Sequence, residues 1–266
     1  MSKKGVKKTS MKEDEYDEKD LRTHIYDTPD TYAGSDEATP DKLAILNGDK
    51  IEFSDIEYIP VIFKMLDEAL VNSRDQRERL RDMKGVKHVT EIRVTIDPKE
   101  GIISVFNNGD GIKVAKHSSG VYNPQLIFGH LLTSSNYKKG QKRTVGGKNG
   151  YGAKIINIFS EYFDVETGDR VTKQKYYQHF YNNMKEKDEP VIEKYDGYPY
   201  TKITWKIDFN RFKIKGLSKD MLGFMGRRVY DIAGVTDSKV SVYYNEEKIN
   251  ISSFQDYMNM YPSETE

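Results

Sequence analysis

The stretch of residues 146–154, with the sequence GGKNGYGAK, constrains the fold more than any other part of the chain. It holds four glycines and runs directly into AKIINIFS, an apolar sequence that predicts a helix starting near Ala153. So many glycines favour a close approach to the backbone. Loop amides ahead of a helix N-terminus form a site for an anion, and Lys148 and Lys154 add positive charge. The spacing matches neither the P-loop nor G-x-G-x-x-G, and a flexible surface loop is the alternative.

Composition limits the classes of protein to which the chain can belong. The 266 residues include 42 Lys and Arg and 42 Asp and Glu, so a uniformly basic nucleic-acid binder is excluded, although a local basic patch is not. The absence of cysteine excludes disulfides, thiolate metal sites and a cysteine nucleophile. The sequence has neither the ~20-residue apolar run of a membrane span nor a secretory signal, so we expect an intracellular protein without a membrane partner.

Helix-forming and strand-forming segments are mixed along the chain without a regular βαβ alternation. Apolar periodicity predicts helices over residues 58–82 and 217–233, besides the helix after the glycine-rich stretch, while residues 107–153 read as rich in loops. Alternating patterns predict strands over EIRVTID, IISVF, YFDVET, KQKYYQHFYN, TKITWKID, KVSVYY and KINI. This mixture favours an α+β two-layer sandwich over a doubly wound sheet.

The first twenty residues differ from the rest of the chain in their charge pattern and hydrophobicity. Residues 1–20 are first basic and then acidic and lack apolar periodicity, which is typical of a solvated tail. Contact with DNA, or a nuclear-localisation role, is the alternative for the four lysines among residues 1–8. The chain reads as structured from Ile25, so we expect a flexible arm over residues 1–24 and one domain over residues 25–266.

The helix predicted over residues 58–82 carries a narrow polar stripe. At about 100° per residue, Asn72 and Asp75 lie within about 40° of Glu68 on opposite sides of it, and Arg79 falls between them. Apolar residues flank the stripe closely, which favours a functional stripe, although the solvent face of an amphipathic helix is the alternative. A carboxylate at Glu68 suits a general base, and the amide oxygen of Asn72 suits Mg²⁺, which takes oxygen ligands.

Two further polar segments complete the candidate site. NNGDGI follows the strand IISVF, and its Asn107 offers a donor and an acceptor, which suits the edge of a base, although an ordinary tight turn is the alternative. Ser134, Ser135 and Asn136 in LLTSSNY suit a sugar or a phosphate and equally the cap of a turn or helix. Together with the glycine-rich stretch, these segments indicate a nucleotide site without a P-loop.

Several long motifs together resemble the ATPase region of type IIA DNA topoisomerases, in the eukaryotic and viral form. They are TPDTYAGSDE, DEALVNSRDQ, NNGDGI, LIFGHLLTSSNY, TVGGKNGYGAKIINIFS, RRVYDIAG and YMNMY, and the resemblance covers about residues 20–262. Other GHKL ATPases, such as chaperones and mismatch-repair proteins, share only short versions of the glycine motifs and lack LLTSSNY. The resemblance implies the Bergerat (GHKL) fold, an α+β two-layer α/β sandwich whose mixed sheet has helices on one face.

The resemblance also implies roles for individual residues. Glu68 would be the general base, Asn72 would hold Mg²⁺, and Asn107 would meet the adenine of ATP. Arg79 would lie near the phosphates, and Tyr32 would reach the nucleotide of the partner subunit. The residues implied to contact the ribose and phosphates, directly or through the phosphate-binding lid, are Ser134, Ser135, Asn136, Gly147, Lys148, Asn149, Gly150, Tyr151, Gly152, Ala153 and Lys154.

For the whole enzyme, the resemblance implies a homodimer that closes in an ATP-dependent way, with exchanged N-terminal arms, around duplex DNA. Such an enzyme would work in a eukaryotic nucleus or, if viral, in the host cytoplasm or virion. The transducer domain, whose lysine touches the γ-phosphate in the family, and the DNA-cleavage core are not in the sequence, so we expect slow turnover. Lys148 stands where the family often has arginine, which offers a bidentate fork that lysine lacks.

Three alternatives to this function stay open. The first is a nucleotide-gated dimerisation module that does not hydrolyse ATP, the second is another GHKL ATPase, and the third is a DNA-binding domain with a vestigial site. Two basic groups are candidates for contact with DNA, and solvated surface charge is the alternative for both. These groups are Lys138, Lys139, Lys142 and Arg143, and Arg227 with Arg228.

Overall fold

The computed structural model describes residues 19–131 and 151–262. Its helices are α1 (Leu21–Asp27), α2 (Pro60–Leu80), α3 (Asn123–Gly129), α4 (Gly152–Ile158), α5 (Phe209–Phe212), α6 (Lys219–Val235) and α7 (Phe254–Met258), with a 3₁₀ turn over Pro29–Thr31. Its strands are β1 (Thr39–Asn47), β2 (Lys50–Tyr58), β3 (Glu91–Asp97), β4 (Ile102–Asn108), β5 (Ser160–Asp169), β6 (Gln174–Tyr181), β7 (Glu186–Lys187), β8 (Val191–Lys194), β9 (Tyr200–Ile207), β10 (Ser241–Tyr244) and β11 (Glu247–Lys248).

A mixed sheet forms the framework of the described residues. Its strands follow the order β11-β10-β3-β4-β9-β5-β6-β7, and β8 pairs with β6. The pair β10–β3 is parallel, whereas the other pairs are antiparallel. Strands β1 and β2 form a separate antiparallel hairpin that packs against α6. Among the described residues, no helix is both long enough and apolar enough to span a bilayer.

Helices cover one face of this sheet. Residues of β4 alternate between buried and half-buried, which places Ile103, Val105 and Asn107 on the covered side. Helix α2 begins at Pro60, whose missing N–H costs nothing in a first helical turn, and it contacts β4, α4 and α6. Its buried apolar residues in the shared core are Val61, Ile62, Met65, Leu66, Ala69 and Leu70, while Phe63 is partly buried. Complete burial of a Val, Ile, Leu or Met side chain contributes about 1.5–3 kcal/mol. The predicted α+β two-layer sandwich is confirmed.

The predicted elements agree with the structure at most positions. The helix predicted over residues 58–82 is α2, the helix predicted over residues 217–233 is α6, and EIRVTID and IISVF form the antiparallel pair β3–β4. Helix α1 begins four residues before Ile25, because the Asp20 side chain caps it by accepting a bond from the Thr23 N–H. Helix α3 lies within residues 107–153, which were predicted to be rich in loops.

The β1–β2 hairpin is absent from the sequence-based prediction. Nine residue pairs join the two strands, from Thr39 opposite Tyr58 to Asn47 opposite Lys50. Gly48 in the turn has a φ of 64°, a backbone conformation that glycine adopts without strain. The NGD sequence is a recognised hairpin signal, so this element was predictable from the turn.

Candidate functional site

Helix α2 presents Glu68 next to a lysine of its own helix. The Nζ of Lys64 lies 2.7 Å from Oε1 of Glu68 and 3.1 Å from Oδ2 of Asp67. Burial opposes the charge of Lys64, but hydrogen bonds and Coulomb attraction from the two carboxylates dominate and raise its pKa. Glu68 therefore sits in an ion pair and is only partly exposed to solvent.

The second oxygen of Glu68 lies against the start of α4. A Cβ atom placed on Gly152 would stand 1.8 Å from Oε2 of Glu68 and 2.6 Å from its carboxyl carbon, closer than real Cβ atoms come. A side chain at residue 152 would therefore displace the Glu68 carboxylate or the start of α4. The group that approaches the backbone closely here is the candidate base, whereas the close approach of an anion to the glycine-rich stretch stays a prediction.

The rest of the stripe on α2 is mixed in its exposure. Asn72 is exposed, Asp75 is buried at 4% exposure, and Arg79 is exposed and donates a 2.7 Å hydrogen bond to Oε1 of Gln76. A purely solvated face would not bury a carboxylate, so the stripe is more than the outer surface of an amphipathic helix.

A magnesium ion fits the donors of this stripe. Within residues 19–131 and 151–262, no group of three or more His, Asp or Glu side chains is placed to hold a metal alone. Mg²⁺ usually takes one or two protein oxygens and completes its octahedron with water and substrate phosphates. The exposed amide of Asn72, one helical turn beyond Glu68, is a donor of this kind.

A row of polar side chains crosses the covered face of the sheet where β4 ends. Asn107 is 5% exposed and stands directly opposite Thr201 of β9, which stands opposite Thr167 of β5. The two threonine hydroxyls lie 3.3 Å apart, and Thr167 donates a 2.8 Å hydrogen bond to the carbonyl of Tyr200. Uncharged donors and acceptors in a mostly apolar wall suit the edge of a base.

Thr201 and Thr167 were missed by the sequence analysis. The signal that could have found Thr201 is its place in TKITWKID, in phase with Ile203 and Trp205 on the buried side of the strand. Thr167 is likewise in phase with Val165 in YFDVET. A polar residue in the buried phase of a strand needs a partner, which makes it a candidate for a site.

The turn after β4 is fixed in place above this row. A Cβ on Gly111 would lie 2.7 Å from the hydroxyl of Thr201, so the backbone of the turn touches the row. Arg170 makes two bonds of 2.6 and 2.7 Å to the carboxylate of Asp110, and these hydrogen bonds hold the pKa of Asp110 below its usual range. Gln76 of α2 donates a 2.6 Å bond to the carbonyl of Asp110, which ties the helix to the turn.

Asn108 has a structural role that contrasts with that of its neighbour. Its Oδ1 accepts from the N–H groups of Thr90 and Glu91 at 2.8 and 2.9 Å, and its Nδ2 donates to the Thr90 hydroxyl at 2.9 Å. These bonds hold the chain at the start of β3 in place. As consecutive residues of a strand, Asn107 and Asn108 face opposite sides of the sheet.

Lys154 lies inside α4 and is 3% exposed. Burial lowers its pKa to about 8, since removal from water disfavours the ammonium form. The positive charges of Lys187 and Lys154 add to burial in lowering the pKa of His130, so His130 and Lys154 lie close enough to interact. An anion reaching this lysine would favour the ammonium form and raise its pKa.

Tyr32 contacts its own chain in this structure. Its ring meets that of Tyr151 edge to face, with centroids 5.7 Å apart, and its hydroxyl lies 3.1 Å from Nδ1 of His24. Tyr151 is the residue before α4, so the N-terminal part of the described chain touches the start of that helix. Contact of Tyr32 with the nucleotide of a partner subunit stays a prediction.

Some predicted residues lie outside the described residues. They are Ser134, Ser135, Asn136, Gly147, Lys148, Asn149 and Gly150, and the basic residues Lys138, Lys139, Lys142 and Arg143.

The interpretation of Arg227 and Arg228 as contacts for DNA is not supported by their positions. Arg228 pairs with Asp67 at 2.7 Å, and Arg227 pairs with Asp231 at 2.9 Å. Because these carboxylates neutralise both guanidinium groups, the two arginines form no free basic patch.

Most of the chain is similar in sequence to known proteins. No family model matches the chain. The chain is 42% identical over 265 residues to DNA topoisomerase 2 of Acanthamoeba polyphaga mimivirus, 43% over 251 residues to DNA topoisomerase 2 of Pisum sativum, and 42% over 248 residues to DNA topoisomerase 2-alpha of Homo sapiens. The matches cover 97%, 94% and 92% of the chain but only 20%, 17% and 16% of these relatives. The chain therefore spans a fifth or less of the length of the curated relatives that it matches.

Solved structures agree with this similarity. The ATPase region of Saccharomyces cerevisiae topoisomerase II superposes with a TM-score of 0.87 at 41% identity, covering 93% of this chain and 65% of that one. The ATPase and transducer domains of DNA topoisomerase II from Balamuthia mandrillaris superpose with a TM-score of 0.87 at 37% identity, covering 96% of this chain and 64% of that one.

Proposed function

Because the chain belongs to the DNA topoisomerase II family and corresponds to its ATPase region, we propose that it binds Mg·ATP and hydrolyses it as a gate domain. The observation that carries this proposal is the contact between the Glu68 carboxylate and Gly152. This contact puts a carboxylate at the start of α4, where the glycine-rich segment that suits phosphates enters the helix.

The proposed reaction is an in-line attack of water on the γ-phosphate. Glu68 accepts a proton from the water as the new oxygen–phosphorus bond forms, and the bond to the β,γ-bridging oxygen breaks to release ADP. The amide oxygen of Asn72 would hold Mg²⁺, which when bound offsets the charge of the phosphates. Lys154 serves the same purpose in the protein, because an anion close to its buried ammonium stabilises the charged form.

The base of the nucleotide is assigned to the sheet end of the site. Asn107 and Thr201 present uncharged hydrogen-bonding groups on the covered face of β4 and β9, and the turn at Gly111 lies against the hydroxyl of Thr201. A site built from such groups rejects a base that cannot match them, because its buried polar atoms would lose their partners. Since the matched solved structures are ATPase regions, we expect adenine to be preferred over guanine.

The proposal extends to the partners of a longer protein. A homodimer and DNA are the partners that topoisomerase II relatives imply. We propose in addition that ATP binding closes this dimer around duplex DNA. In such a dimer the N-terminal segment would exchange between subunits, and Tyr32 would leave Tyr151 of its own chain to reach the nucleotide of the partner. Loss of the ring contact between Tyr32 and Tyr151 on dimer closure is the local event to observe.

The test compares the chain with Glu68→Gln in two measurements. Glu68→Gln should bind a non-hydrolysable ATP analogue as the parent does, but its turnover should fall about 10²–10⁴-fold, the usual contribution of a general base. Glu57→Gln, an exposed glutamate on β2, is the matched control and should behave as the parent. Equal turnover in the parent and Glu68→Gln would contradict hydrolysis by this site, and no analogue binding in either would contradict the nucleotide site itself.

A further inference from the structure

The carboxylate of Glu68 is held on both sides by groups that the proposed reaction does not use. One oxygen is 2.7 Å from the ammonium of Lys64, and the other lies against the backbone of Gly152. Lys64 precedes Glu68 by one helical turn, the spacing at which side chains of a helix meet. The lysine is thus in a position to fix the direction in which the carboxylate points.

Lys64 is itself fixed by a second helix. Its ammonium also contacts Oδ2 of Asp67 at 3.1 Å, and Oδ1 of Asp67 is held by Arg228 of α6 through Nε at 2.8 Å and Nη2 at 2.7 Å. A guanidinium with two nitrogens on one carboxylate oxygen has little freedom to turn. The charged groups of α2 therefore keep a fixed position relative to α6.

The same contacts continue to the last helix of the described chain. Asp231 lies one helical turn after Arg227. Its Oδ2 is 2.9 Å from Nη1 of Arg227 and 3.6 Å from Nη1 of Arg228. The hydroxyl of Tyr257 in α7 donates to the other oxygen of Asp231. A continuous series of hydrogen bonds and ion pairs therefore connects α7 to the candidate base. Its members are, in order, Tyr257, Asp231, Arg228, Asp67, Lys64 and Glu68.

We propose that Lys64 is a positioning residue for Glu68, and that Asp67 and Arg228 hold it in place so that the geometry of the base depends on α6 and α7. The inference rests on the proposed function, because it concerns how that base is aimed. Partly exposed ion pairs contribute little to stability, so a stability role alone gives a weak reason for this arrangement. Rates are more sensitive, since a misplacement of about 1 Å can cost about 10² in turnover.

The experiment measures single-turnover hydrolysis of labelled ATP by excess protein, with nucleotide affinity measured in parallel. Lys64→Met should lower the rate of the chemical step about 10- to 100-fold while the affinity for a non-hydrolysable analogue stays within about twofold. Lys64→Arg keeps the charge and the reach, so it should recover most of the rate. Arg228→Lys should reduce the rate in the same direction by a smaller factor, because it loosens Asp67 without removing its partner.

Lys206→Met is the matched control. Lys206 forms a 3.0 Å ion pair with Glu161 between β9 and β5, with exposure similar to that of Lys64, and it lies on the side of the sheet away from the helices. It should leave the rate unchanged.

Three results would overturn the positioning role. They are a parental rate in Lys64→Met, an equal loss of rate in Lys206→Met, and a change confined to nucleotide affinity.

Two further results separate this inference from the proposed function. If Lys64→Met keeps the parental rate while Glu68→Gln loses it, Lys64 has no positioning role and the proposed function stands. If the parent shows no turnover that depends on Glu68, both the positioning role and hydrolysis by this site are contradicted. If the parent nevertheless binds the analogue, the proposed nucleotide site still stands.

Discussion

The two ends of the candidate site are built in different ways. At the α2–α4 end, Glu68 is placed by side chains that carry full charges, Lys64 among them, and by the backbone of Gly152. At the sheet end, Asn107 and Thr201 are uncharged and are placed by the backbone pairing of β4 and β9. One end suits the phosphates and the attacking water, and the other suits a neutral base.

This difference predicts how a substitution acts at each end of the site. Side-chain ion pairs in partial contact with water weaken with salt and contribute little to stability, so removal of one ion-pair partner alters geometry more than folding. The backbone pairing of the sheet is not weakened in this way, so truncation of Asn107 or Thr201 removes a specific hydrogen bond and leaves the framework standing. The charged end should therefore control rate, and the neutral end should control affinity and choice of base.

The largest effect is expected from Gly152→Ala. The new methyl group would overlap the Glu68 carboxylate, so α4 or the carboxylate must move. We expect turnover to be lost and the free energy of unfolding to fall by about 1–3 kcal/mol, as is usual for overpacking. Thermal unfolding and single-turnover assays measure the two effects.

A double variant tests the cause of that effect. Glu68→Ala removes the group with which the methyl collides, so Gly152→Ala should cost much less stability in a Glu68→Ala background than alone. Additive stability losses in the two variants would mean that the clash with Glu68 is not the reason for glycine at residue 152.

The next effect separates two adjacent asparagines. Asn107→Ala should weaken binding of an adenine nucleotide about tenfold, the value of one lost hydrogen bond of about 1.4 kcal/mol, and reduce the preference over guanine. Asn108→Ala should leave affinity unchanged and cost about 1–3 kcal/mol of stability, because it leaves the N–H groups of Thr90 and Glu91 without their acceptor. The reverse result, affinity lost only in Asn108→Ala, would contradict the assignment of Asn107 to the base.

A smaller effect is expected from pH through Lys154. Burial lowers the pKa of Lys154 to about 8 in the free protein, whereas a bound phosphate favours the ammonium and raises that pKa. Binding therefore takes up protons near pH 8, and affinity for the analogue should fall as pH rises from about 7 to about 9. Calorimetry in buffers of different ionisation enthalpy measures the proton uptake. Lys154→Met should bind more weakly near neutral pH and show a flat profile over this range, and a flat profile in the parent would exclude Lys154 as the phosphate contact.

The smallest effect concerns the stability of Lys64→Met. Its free energy of unfolding should stay within about 1 kcal/mol of the parent, since partly exposed ion pairs rarely contribute more. Denaturant unfolding provides the value. A loss of several kcal/mol would mean that the charged end supports the fold itself, and the contrast between the two ends would disappear.

The sequence predicted those parts of the molecule that depend on local pattern. The periodicity of α2 and its first-turn proline placed the helix within two residues at each end. The ion pair of Lys64 with Glu68 was not predicted, because nothing local distinguishes its i, i+4 spacing from that of an ordinary surface pair.

Other parts depend on contacts between distant segments. The parallel pairing of β10 with β3 joins strands about 150 residues apart, and no local periodicity specifies it. The position of Thr201 opposite Asn107 depends likewise on the register between β9 and β4. The bonds of Arg228 to Asp67 cross between two helices, so they follow from the packing angle and not from sequence spacing.

The most direct test of the nucleotide site is a calorimetric titration of the chain with a non-hydrolysable ATP analogue, with and without Mg²⁺. We predict saturable binding at one site per chain, stronger with Mg²⁺, and a loss of the Mg²⁺ effect in Asn72→Ala, because its amide oxygen is the proposed magnesium ligand. Absence of binding, or binding that ignores both Mg²⁺ and Asn72, would contradict the site described at α2, α4 and the end of β4.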